Sequence, residues 1–375
     1  MEFRSLKAQY DILKNEINKN IEQVISEASF ISGHQVNELE DILSEYVGVK
    51  HCITCANGTD ALTLAMMAWG IGVGDAVFVP DFTFFSSGEV VSLAGATPIF
   101  VDVDADTFNI DPPRLEEAIK EVNKRKDLNP RAIVAVDLFG QPAGYSEIRK
   151  IANKYNLYVL EDGAQGFGGK IGEKKACSFG DISTTSFFPM KPLGCYGDGG
   201  AVFTDNDEWA ALIRSYCVHG KGSSKYDNVR IGLNSRLDTL QAAILLAKFP
   251  KFVSYELDAI NDNAAYYTEK LGDFVKVPTI KEGYYSSWAQ YTIQLSNKEQ
   301  RDGLQRHLKE YGIPTFVYYP KPMHKQAAFE NREIHLDFQI NMNILCDTVL
   351  SLPISPYISN EEMEEVCRKV VQGVK

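Results

Sequence analysis

The stretch Ser183-Thr-Thr-Ser-Phe-Phe-Pro-Met-Lys-Pro-Leu-Gly-Cys195 places Lys191 five residues after Ser186. Asp162 lies twenty-nine residues before that lysine, in Val159-Leu-Glu-Asp-Gly-Ala-Gln165. A lysine amine can form a Schiff base with an aldehyde, and a carboxylate can keep a pyridine nitrogen protonated so that the ring withdraws electrons. An acid at a strand end and a lysine on a following turn are what pyridoxal 5'-phosphate requires. The two segments therefore predict an enzyme that uses this cofactor.

The neighbours of Lys191 distinguish it from an ordinary surface lysine. A lone lysine is a solvated surface residue in most proteins, and this is the alternative interpretation. Here the surrounding residues are rich in proline and glycine: Pro189, Pro192, Gly194, Gly197, Gly199 and Gly200. Such residues shape turns, and we expect this one to present the amine to the cofactor. Desolvation there lowers the pKa of a lysine, which suits it to carry a proton.

Strand-like apolar segments alternate with helical segments through the first half of the chain. This alternation predicts an α/β fold with a mostly parallel sheet that is buried on both faces. Ligands of such sheets bind beyond the carboxyl ends of the strands, where Asp162 and Lys191 are expected. The predicted strands are 51–56, 76–79, 98–103, 132–137, 156–160, 182–187 and 200–204, and the predicted helices are 60–68, 86–93 and 145–155.

The length of 375 residues favours two domains. A helix predicted over 237–271 links the sheet to the C-terminal part, and the boundary is expected near residue 250 inside it. Residues 1–250, with an N-terminal helix at 10–27, would form the large cofactor-binding domain, and 251–375 the smaller α+β domain. The C-terminal elements predicted are a strand at 290–295 and helices at 298–311 and 361–374.

The segment Asn57-Gly58-Thr59-Asp60 joins the first predicted strand to its helix. Free backbone N–H groups at a helix start, together with a small residue and a hydroxyl, favour an anion site. The alternative is a plain helix cap formed by Thr59 or Asp60. Because the lysine segment follows downstream, we interpret this helix start as the phosphate site of the cofactor.

Three further residue types are predicted to contact the cofactor. Phe84 follows the second strand, where an aromatic face can stack on a flat ring, although Phe82 and Phe85 compete for this role and core packing is the alternative. Gln165 can hydrogen-bond the phenolic oxygen of the ring. Ser186 has a hydroxyl suited to phosphate, and its alternative is a local bond to the backbone.

The composition is that of a soluble globular protein, with 45% hydrophobic and 23% charged residues. A net charge of −12 argues against a nucleic-acid surface. No apolar run approaches the roughly 18 residues of a membrane span, and the N-terminus lacks the apolar core of a signal peptide. We therefore expect a cytoplasmic protein with no membrane partner.

The seven cysteines are expected to be reduced structural thiols. Cys52 and Cys55 form a Cys-x-x-Cys pair inside a predicted strand, which would direct the two side chains to opposite faces. A second pair that would complete a zinc site is missing from the sequence, so no metal site is predicted.

Together, these motifs resemble the DegT/DnrJ/EryC1/StrS family of sugar aminotransferases, which have the fold-type I architecture of aspartate aminotransferase. The resemblance extends over nearly the whole chain. The segments that carry it are Cys55-Ala-Asn-Gly-Thr-Asp-Ala-Leu62, Glu161-Asp-Gly-Ala-Gln165, Thr185-Ser-Phe-Phe-Pro-Met-Lys-Pro-Leu-Gly-Cys-Tyr-Gly-Asp-Gly-Gly200 and Gly232-Leu-Asn-Ser-Arg-Leu-Asp-Thr-Leu-Gln-Ala-Ala243.

The resemblance implies a role for each cofactor residue. The implied cofactor-binding residues are Gly58, Thr59, Phe84, Asp162, Gln165, Ser186, Lys191 and Asn234. Lys191 would carry the Schiff base and Asp162 would pair with the pyridine nitrogen, which makes these two the catalytic residues. The residues of the helix start and Ser186 would hold the phosphate. Asn234 would reach that phosphate from the partner subunit, so the resemblance implies a homodimer with shared active sites.

The resemblance also implies a reaction. Relatives with histidine in place of the lysine catalyse dehydration, so Lys191 favours transamination from L-glutamate to a nucleotide sugar. Likeness to members that act on carbon 3 indicates UDP-2-acetamido-2-deoxy-3-oxo-glucuronate, for surface polysaccharide. The substrate contacts expected are Arg230, Arg236, Tyr318 and His324. Intersubunit or cap ion pairs are the alternative for the arginines, and a structural role is the alternative for the histidine.

Three alternatives stand beside this function and substrate. A dTDP-3-keto-6-deoxyhexose is the alternative substrate. A sensor or regulator that retains the fold without turnover would be favoured by loss of Lys191 or by a DNA-binding appendage, and the sequence has neither. A nicotinamide-dependent sugar dehydrogenase needs a glycine fingerprint after the first strand, and Cys55-Ala-Asn-Gly-Thr59 lacks it.

Overall fold

The structure, a computed structural model, describes residues 1–224, 226–330 and 340–375. The strands of these residues run in chain order as follows: β1 (His51–Cys55), β2 (Asp75–Pro80), β3 (Thr97–Val101), β4 (Asn129–Val136), β5 (Tyr158–Asp162), β6 (Lys170–Ile171), β7 (Lys174–Lys175), β8 (Ile182–Ser186), β9 (Gly200–Thr204), β10 (Tyr284–Tyr285), β11 (Tyr291–Gln294) and β12 (Val349–Leu352).

Seven of these strands form one sheet in the order β1-β9-β8-β5-β4-β2-β3. Strand β9 runs antiparallel to β1 and β8, and the other neighbouring strands are parallel. Side chains alternate across β2, so that Val77 and Val79 join the core on one face while Ala76 and Phe78 join the core on the other. Burial on both faces is what a mostly parallel sheet requires. The predicted α/β fold is confirmed.

The helices of the described residues cover the sheet and build the C-terminal part. They are α1 (Leu6–Glu27), α2 (His34–Val47), α3 (Gly58–Ala68), α4 (Ser86–Leu93), α5 (Pro112–Val122), α6 (Tyr145–Tyr155), α7 (Asp207–Tyr216), α8 (Thr239–Lys251), α9 (Leu257–Leu271), α10 (Lys298–Glu310), α11 (Asn341–Thr348) and α12 (Asn360–Val374). The N-terminal helix α1 packs against α8.

The helix predicted over 237–271 is not continuous. Helix α8 ends at Lys251, one turn of π-helix covers Phe252–Glu256, and α9 follows. Pro250 lies in the last turn of α8, and its nitrogen has no proton to donate to the preceding turn. The widened turn accommodates this lost bond. The division into domains 1–250 and 251–375 stays a prediction, with its boundary at this interruption.

The C-terminal part has a core of its own. Strands β11 and β12 pair antiparallel, and their buried side chains pack with α9, α10 and α12. Ser359 and Glu362 form a reciprocal capping box at the start of α12.

Several elements escaped the sequence analysis: α2, α5, α7, α11, β6, β7, β10 and β12. Two of the helices have cap signals that were not used. Asp111 caps α5 just before two prolines, and Asn206 caps α7. The two-residue strands β6, β7 and β10 are too short to have a readable period.

Strand β1 separates Cys52 from Cys55 as expected. Cys52 packs on one face with Leu39, and Cys55 packs on the other with Ala61. All seven cysteines are buried free thiols. In the part of the chain that the structure describes, no helix combines the length and the apolar character needed to cross a bilayer.

Candidate active site

A cavity of about 520 Å³ opens beyond the carboxyl ends of the central strands. Val136, Asp162 and Ser186, the last residues of β4, β5 and β8, all line it. Its size is within the range of about 300–1,000 Å³ typical of small-molecule sites. The predicted residues that line it are Gly58, Thr59, Phe84, Asp162, Gln165, Ser186, Lys191 and Tyr318.

The register of the sheet explains why the acid and the lysine meet. Asp162 is opposite Thr184 in the parallel pairing of β5 with β8. The chain therefore leaves β8 only two residues beyond the level of Asp162 and turns directly into the segment of Lys191. Strand ends at one edge of a parallel sheet converge on one site.

Asp162 is buried and held by two donors. Its Oδ2 accepts a hydrogen bond of 2.7 Å from the Ser87 hydroxyl, and its Oδ1 accepts one of 3.2 Å from the Ala164 backbone N–H. Burial raises the pKa of Asp162, whereas these bonds and the nearby charge of Lys191 lower it. A cation above the carboxylate, such as a pyridinium N–H, would favour its charged form further.

Lys191 extends from a tight turn into the cavity. Its backbone N–H donates to the Phe188 carbonyl over 2.8 Å. Gly194 is required in this turn, because a Cβ there would lie 2.4 Å from the Pro189 carbonyl oxygen. Burial lowers the pKa of Lys191, while the Asp162 carboxylate raises it and the Arg4 charge lowers it again. Such a lysine is more readily neutral, and hence nucleophilic, than a solvated one.

The start of α3 faces the end of β8. Asn57 caps the helix, since its side chain accepts from the Asp60 N–H at 2.8 Å. Neither Thr59 nor Asp60 is therefore the cap of this helix. The N–H groups of the first helical turn point toward the end of the cavity that is lined by Gly58, Thr59 and Ser186. This is the geometry of an anion site.

Gly58 is required at this contact. A Cβ on it would lie 2.7 Å from the Ser186 Cβ, so only glycine allows the helix start to approach β8 so closely. The Thr59 hydroxyl shares a hydrogen bond of 2.8 Å with the Ser86 hydroxyl, which fixes its side chain beside the same end of the cavity.

Phe84 is the one of the three candidate aromatic residues that lines the cavity. It is 53% exposed, and its ring centroid is 6.4 Å from that of Tyr319. Phe82 is buried in the core, and Phe85 packs against Phe329 at 5.1 Å. An exposed aromatic face on a cavity wall is available for stacking.

The orientation of the Gln165 amide follows from its neighbours. Its Oε1 accepts from the Phe139 backbone N–H at 2.7 Å, and its Nε2 donates to the Tyr319 hydroxyl at 3.1 Å. Because a backbone N–H can only donate, the amide oxygen is fixed on the Phe139 side. Among the described residues, Tyr319 is the acceptor of one Nε2 proton and the other has no acceptor, while Gln165 itself lines the cavity.

Asn234 and Arg236 line a neighbouring cleft instead. Asn57 and Asp198 belong to both the cavity and this cleft, so the two are adjacent. Arg236 donates to the Asn234 Oδ1 over 2.5 Å.

Arg230 lies outside the described lining of both the cavity and the cleft. It donates to the Ser215 hydroxyl and packs over the Tyr216 ring. Contacts of Asn234, Arg236 and Arg230 with the cofactor or substrate stay predictions.

His324 has the contacts of a structural histidine. Its Nδ1 lies 2.5 Å from the Asp81 Oδ2, and its backbone N–H donates to the Asp81 Oδ1 at 2.8 Å. Both side chains are almost completely buried. These contacts favour the structural alternative, whereas Tyr318 lines the cavity beside Tyr319.

Ser87, Arg4 and Tyr319 are among the lining or supporting residues that the sequence did not predict. Ser87 lies three residues after Phe84, in the first turn of α4, and its hydrogen bond to Asp162 depends on packing that the sequence does not display. Arg4 and Tyr319 also line the cavity, but each is more than 140 residues from the Asp162 segment, so no local pattern reveals them.

Comparison with known proteins gives matches over the whole chain. The family model described as "DegT/DnrJ/EryC1/StrS aminotransferase family" matches residues 11–371. The UDP-2-acetamido-2-deoxy-3-oxo-D-glucuronate aminotransferase of Pseudomonas aeruginosa is 43% identical, with 98% of each chain covered. A protein named "Pleiotropic regulatory protein" from Geobacillus stearothermophilus is 40% identical, over 98% of this chain and 96% of that one.

A solved structure agrees with the fold. The crystal structure of a DegT DnrJ EryC1 StrS aminotransferase from Brucella abortus superposes with a TM-score of 0.97 at 46% identity, covering 100% of this chain and 99% of that chain. Taken with the lysine, the buried acid and the helix start around one cavity, these matches show that the chain belongs to the DegT/DnrJ/EryC1/StrS aminotransferase family.

Proposed function

We propose that this protein is a pyridoxal 5'-phosphate-dependent enzyme that transfers an amino group from L-glutamate to carbon 3 of a nucleotide-linked 3-keto sugar. The observation that carries the proposal is the shared cavity of Lys191 and Asp162, with the start of α3 at one end. A reactive amine, a buried carboxylate and an anion site then face one ligand. Pyridoxal phosphate has a matching aldehyde, ring nitrogen and phosphate.

The residues present fit this cofactor. Gly58 leaves room between α3 and Ser186 that a Cβ would fill. The helix N–H groups and the hydroxyls of Thr59 and Ser186 would hold the phosphate. When bound, the cofactor supplies an electron sink for the substrate carbon that carries the amine.

The side chains of the cavity would then perform four tasks. Asp162 holds the ring nitrogen protonated, and the free N–H of Gln165 donates to the phenolic oxygen. Phe84 covers one face of the ring and excludes water from it. Lys191, whose pKa is lowered by burial, would accept the proton that leaves the amine carbon of L-glutamate and would donate the proton that carbon 3 of the sugar gains.

Within this reaction we propose UDP-2-acetamido-2-deoxy-3-oxo-glucuronate as the sugar substrate and surface polysaccharide as the destination of the product. The support is the 43% identity with the Pseudomonas aeruginosa enzyme of that name. Tyr318 on the cavity wall is the candidate contact for the sugar from this lining. Arg236 and Arg230 are candidates from outside the cavity lining, and the contacts of His324 with Asp81 make it the weakest candidate. A dTDP-3-keto-6-deoxyhexose is the second candidate substrate.

We further propose a cytoplasmic homodimer in which each active site takes residues from both chains. Asn234 and Arg236 lie in a cleft that adjoins the cavity, with Asn234 exposed and Arg236 half-buried beside it. The preceding segment exposes apolar side chains, including Ile231 at 89%. Exposed apolar residues beside a site favour burial against a second subunit.

The test of the cofactor site is the visible absorbance band of the lysine-bound cofactor. We expect this band in the purified protein and its loss in Lys191→Ala. Removal of a proton-transfer group should also lower the transamination rate by about 10²–10⁴-fold. A cofactor-saturated protein without the band, or an unchanged band in the variant, would exclude the proposal.

The test of the substrate is a panel of UDP- and dTDP-linked 3-keto sugars with mass detection of the amino product. We expect efficient amination of the 3-keto uronate and weak amination of 6-deoxy sugars. Full activity on a 6-deoxy keto sugar would exclude the assignment of the uronate as substrate but would not affect the proposed aminotransferase activity.

A further inference from the structure

One wall of the cavity comes from the extreme N-terminus. Phe3 and Arg4, just ahead of α1, line the cavity together with Lys191. Arg4 also lines a small adjoining cleft that contains Lys191, Lys248 and Glu256. The guanidinium of Arg4 thus reaches the cavity from a segment that lies outside the sheet.

One nitrogen of the Arg4 guanidinium has no hydrogen-bond partner in the part of the chain that the structure describes. This nitrogen, Nη1, is buried. A buried guanidinium nitrogen without an acceptor is unfavourable, because water has been removed and nothing has replaced it. Most buried polar groups in proteins are paired, so an exception at a cavity wall requires an explanation.

The neighbouring charges do not supply the missing partner. Glu256 is the nearby carboxylate, but its Oε1 already accepts from Gln9 at 2.7 Å and from Tyr357 at 2.6 Å. Within the described residues, Glu256 lies beyond ion-pair distance of Arg4 and acts on it only through its charge. Arg4 and Lys248 bring two positive charges to this corner against the one negative charge of Glu256, so positive charge is in excess there.

The cavity therefore has two ends with different anion preferences. The start of α3 and Ser186 form the end suited to the cofactor phosphate. Arg4 lies on the Lys191 side, where the substrate carbon must be held for proton transfer. Guanidinium presents a planar pair of N–H donors that matches the two oxygens of a carboxylate.

We propose that Arg4 is a specificity-determining residue that binds a substrate carboxylate through its guanidinium. The inference rests on the proposed function, because both substrates of that reaction carry this group. L-Glutamate has a carboxylate on the reacting carbon, and the keto uronate has one on its sugar ring. Binding either would pair the buried Nη1 and neutralise the excess charge beside Lys191.

The experiment measures the two half-reactions separately in the cofactor-loaded enzyme. The variants are Arg4→Gln and Arg4→Lys, and Lys7→Gln is the matched control, because it removes the same charge from an exposed position on α1. Apparent dissociation constants are taken from single turnovers with L-glutamate, with the 3-keto uronate and with a 6-deoxy 3-keto sugar.

We expect Arg4→Gln to raise the dissociation constant of the bound carboxylate substrate by about ten- to a hundredfold, as for loss of a charge-assisted bond. Arg4→Lys should give a smaller increase, since an ammonium cannot bind both oxygens in one plane. Lys7→Gln should have no effect. An increase confined to glutamate identifies the amino donor, one confined to the uronate identifies the sugar, and increases for both indicate that one site serves the two in turn.

Two results would overturn the assignment. Unchanged constants in Arg4→Gln would show that the side chain meets no substrate. Equal increases for the uronate and the 6-deoxy sugar would assign Arg4 to the diphosphate or to a general charge effect. The absorbance band of the lysine-bound cofactor is recorded in parallel, because its absence from the unsubstituted protein would remove the proposed function itself.

Discussion

At the scale of single residues, the site depends on how hydrogen bonds favour the charged form of a buried carboxylate. Asp162 has no bulk water to stabilise its charge, and burial raises its pKa. The Ser87 hydroxyl and the Ala164 N–H offset that effect with hydrogen bonds. Burial lowers the pKa of Lys191 and so favours its neutral form. The two groups therefore adjust each other's protonation across the cavity.

Ser87→Ala should weaken cofactor binding. Loss of the 2.7 Å bond raises the pKa of Asp162 further and leaves Oδ2 without its donor. A bond to a charged group contributes roughly 1.5–3 kcal/mol, so the dissociation constant of pyridoxal phosphate should rise by about tenfold or more. The measurement is a spectroscopic titration of cofactor-free protein.

The control for Ser87→Ala lies on the same helix. Ser92→Ala, also in α4, removes a buried hydroxyl that has no partner among the described residues. It should leave cofactor affinity unchanged. Equal effects of the two substitutions would contradict a specific role for Ser87.

Asp162→Asn should lower the pKa of Lys191 beyond its already depressed value. The carboxylate stabilises the ammonium form, so its removal leaves burial and the Arg4 charge, which both favour the neutral amine. The pH titration of isotopically dimethylated Lys191 in cofactor-free protein reports this shift by NMR. Glu208→Gln on the exposed surface of α7 is the control. A higher midpoint in Asp162→Asn would contradict the expected sign.

At the scale of elements, the site is made by close approach of α3 to the ends of β8 and β9. A Cβ at Gly58 would meet Ser186, and one at Gly200 would lie 2.5 Å from the Asn57 carbonyl oxygen.

Helix α8 stabilises the turn that carries Lys191, since the Lys248 side chain donates a hydrogen bond to the Gly194 carbonyl in that turn. The lysine turn is thus fixed by the sheet on one side and by α8 on the other.

Gly58→Ala should both destabilise the fold and reduce cofactor affinity. The added methyl group must displace α3 from Ser186, at a cost of about 1–3 kcal/mol in unfolding free energy. Thermal unfolding and cofactor titration together measure the two effects.

Gly303→Ala provides the matched control for that substitution. Gly303 lies in α10, and apart from its neighbours in that helix no atom of the described residues lies within 4 Å of its Cβ position. Alanine there should stabilise the helix by about 0.5–1 kcal/mol without changing cofactor binding. Loss of cofactor affinity in Gly303→Ala would show that a glycine-to-alanine change far from Ser186 also alters cofactor binding, and would contradict a specific role for Gly58.

At the scale of the whole molecule, the cavity draws on the sheet, on the N-terminal segment and on the C-terminal part. Tyr318 and Tyr319 come from the connection between α10 and α11, and Gln290 precedes β11. The adjacent cleft with Asn234 and Arg236 faces outward from the same chain. A second subunit would close the site, as the proposed homodimer requires.

Subunit mixing should test the shared active site. Lys191→Ala and Asn234→Ala are each expected to have low activity alone. A hybrid dimer would contain one site with both residues intact, so random mixing should restore roughly one quarter of the original activity. The measurement is activity after co-refolding, with dimer formation checked by light scattering. Failure to recover activity in verified hybrid dimers would mean that Asn234 serves its own chain.

The α/β class, most strands of the sheet and most of the eight predicted residues that line the cavity could be read from the sequence. Apolar runs predict the strands, and proline and glycine predict the turn of Lys191. Tyr318 was expected only from the resemblance to the family. The helices α5 and α7 could also have been predicted from local signals, since their caps at Asp111 and Asn206 are visible in the sequence.

Only the tertiary structure decided which distant segments complete the site. Arg4, Ser87 and Tyr319 reach it because the fold brings together chain segments that no periodicity relates. The pairing of His324 with Asp81, 243 residues apart, likewise could not be read locally. Short-range patterns reflect the backbone geometry of single elements, whereas the partner of a buried charge depends on how those elements pack.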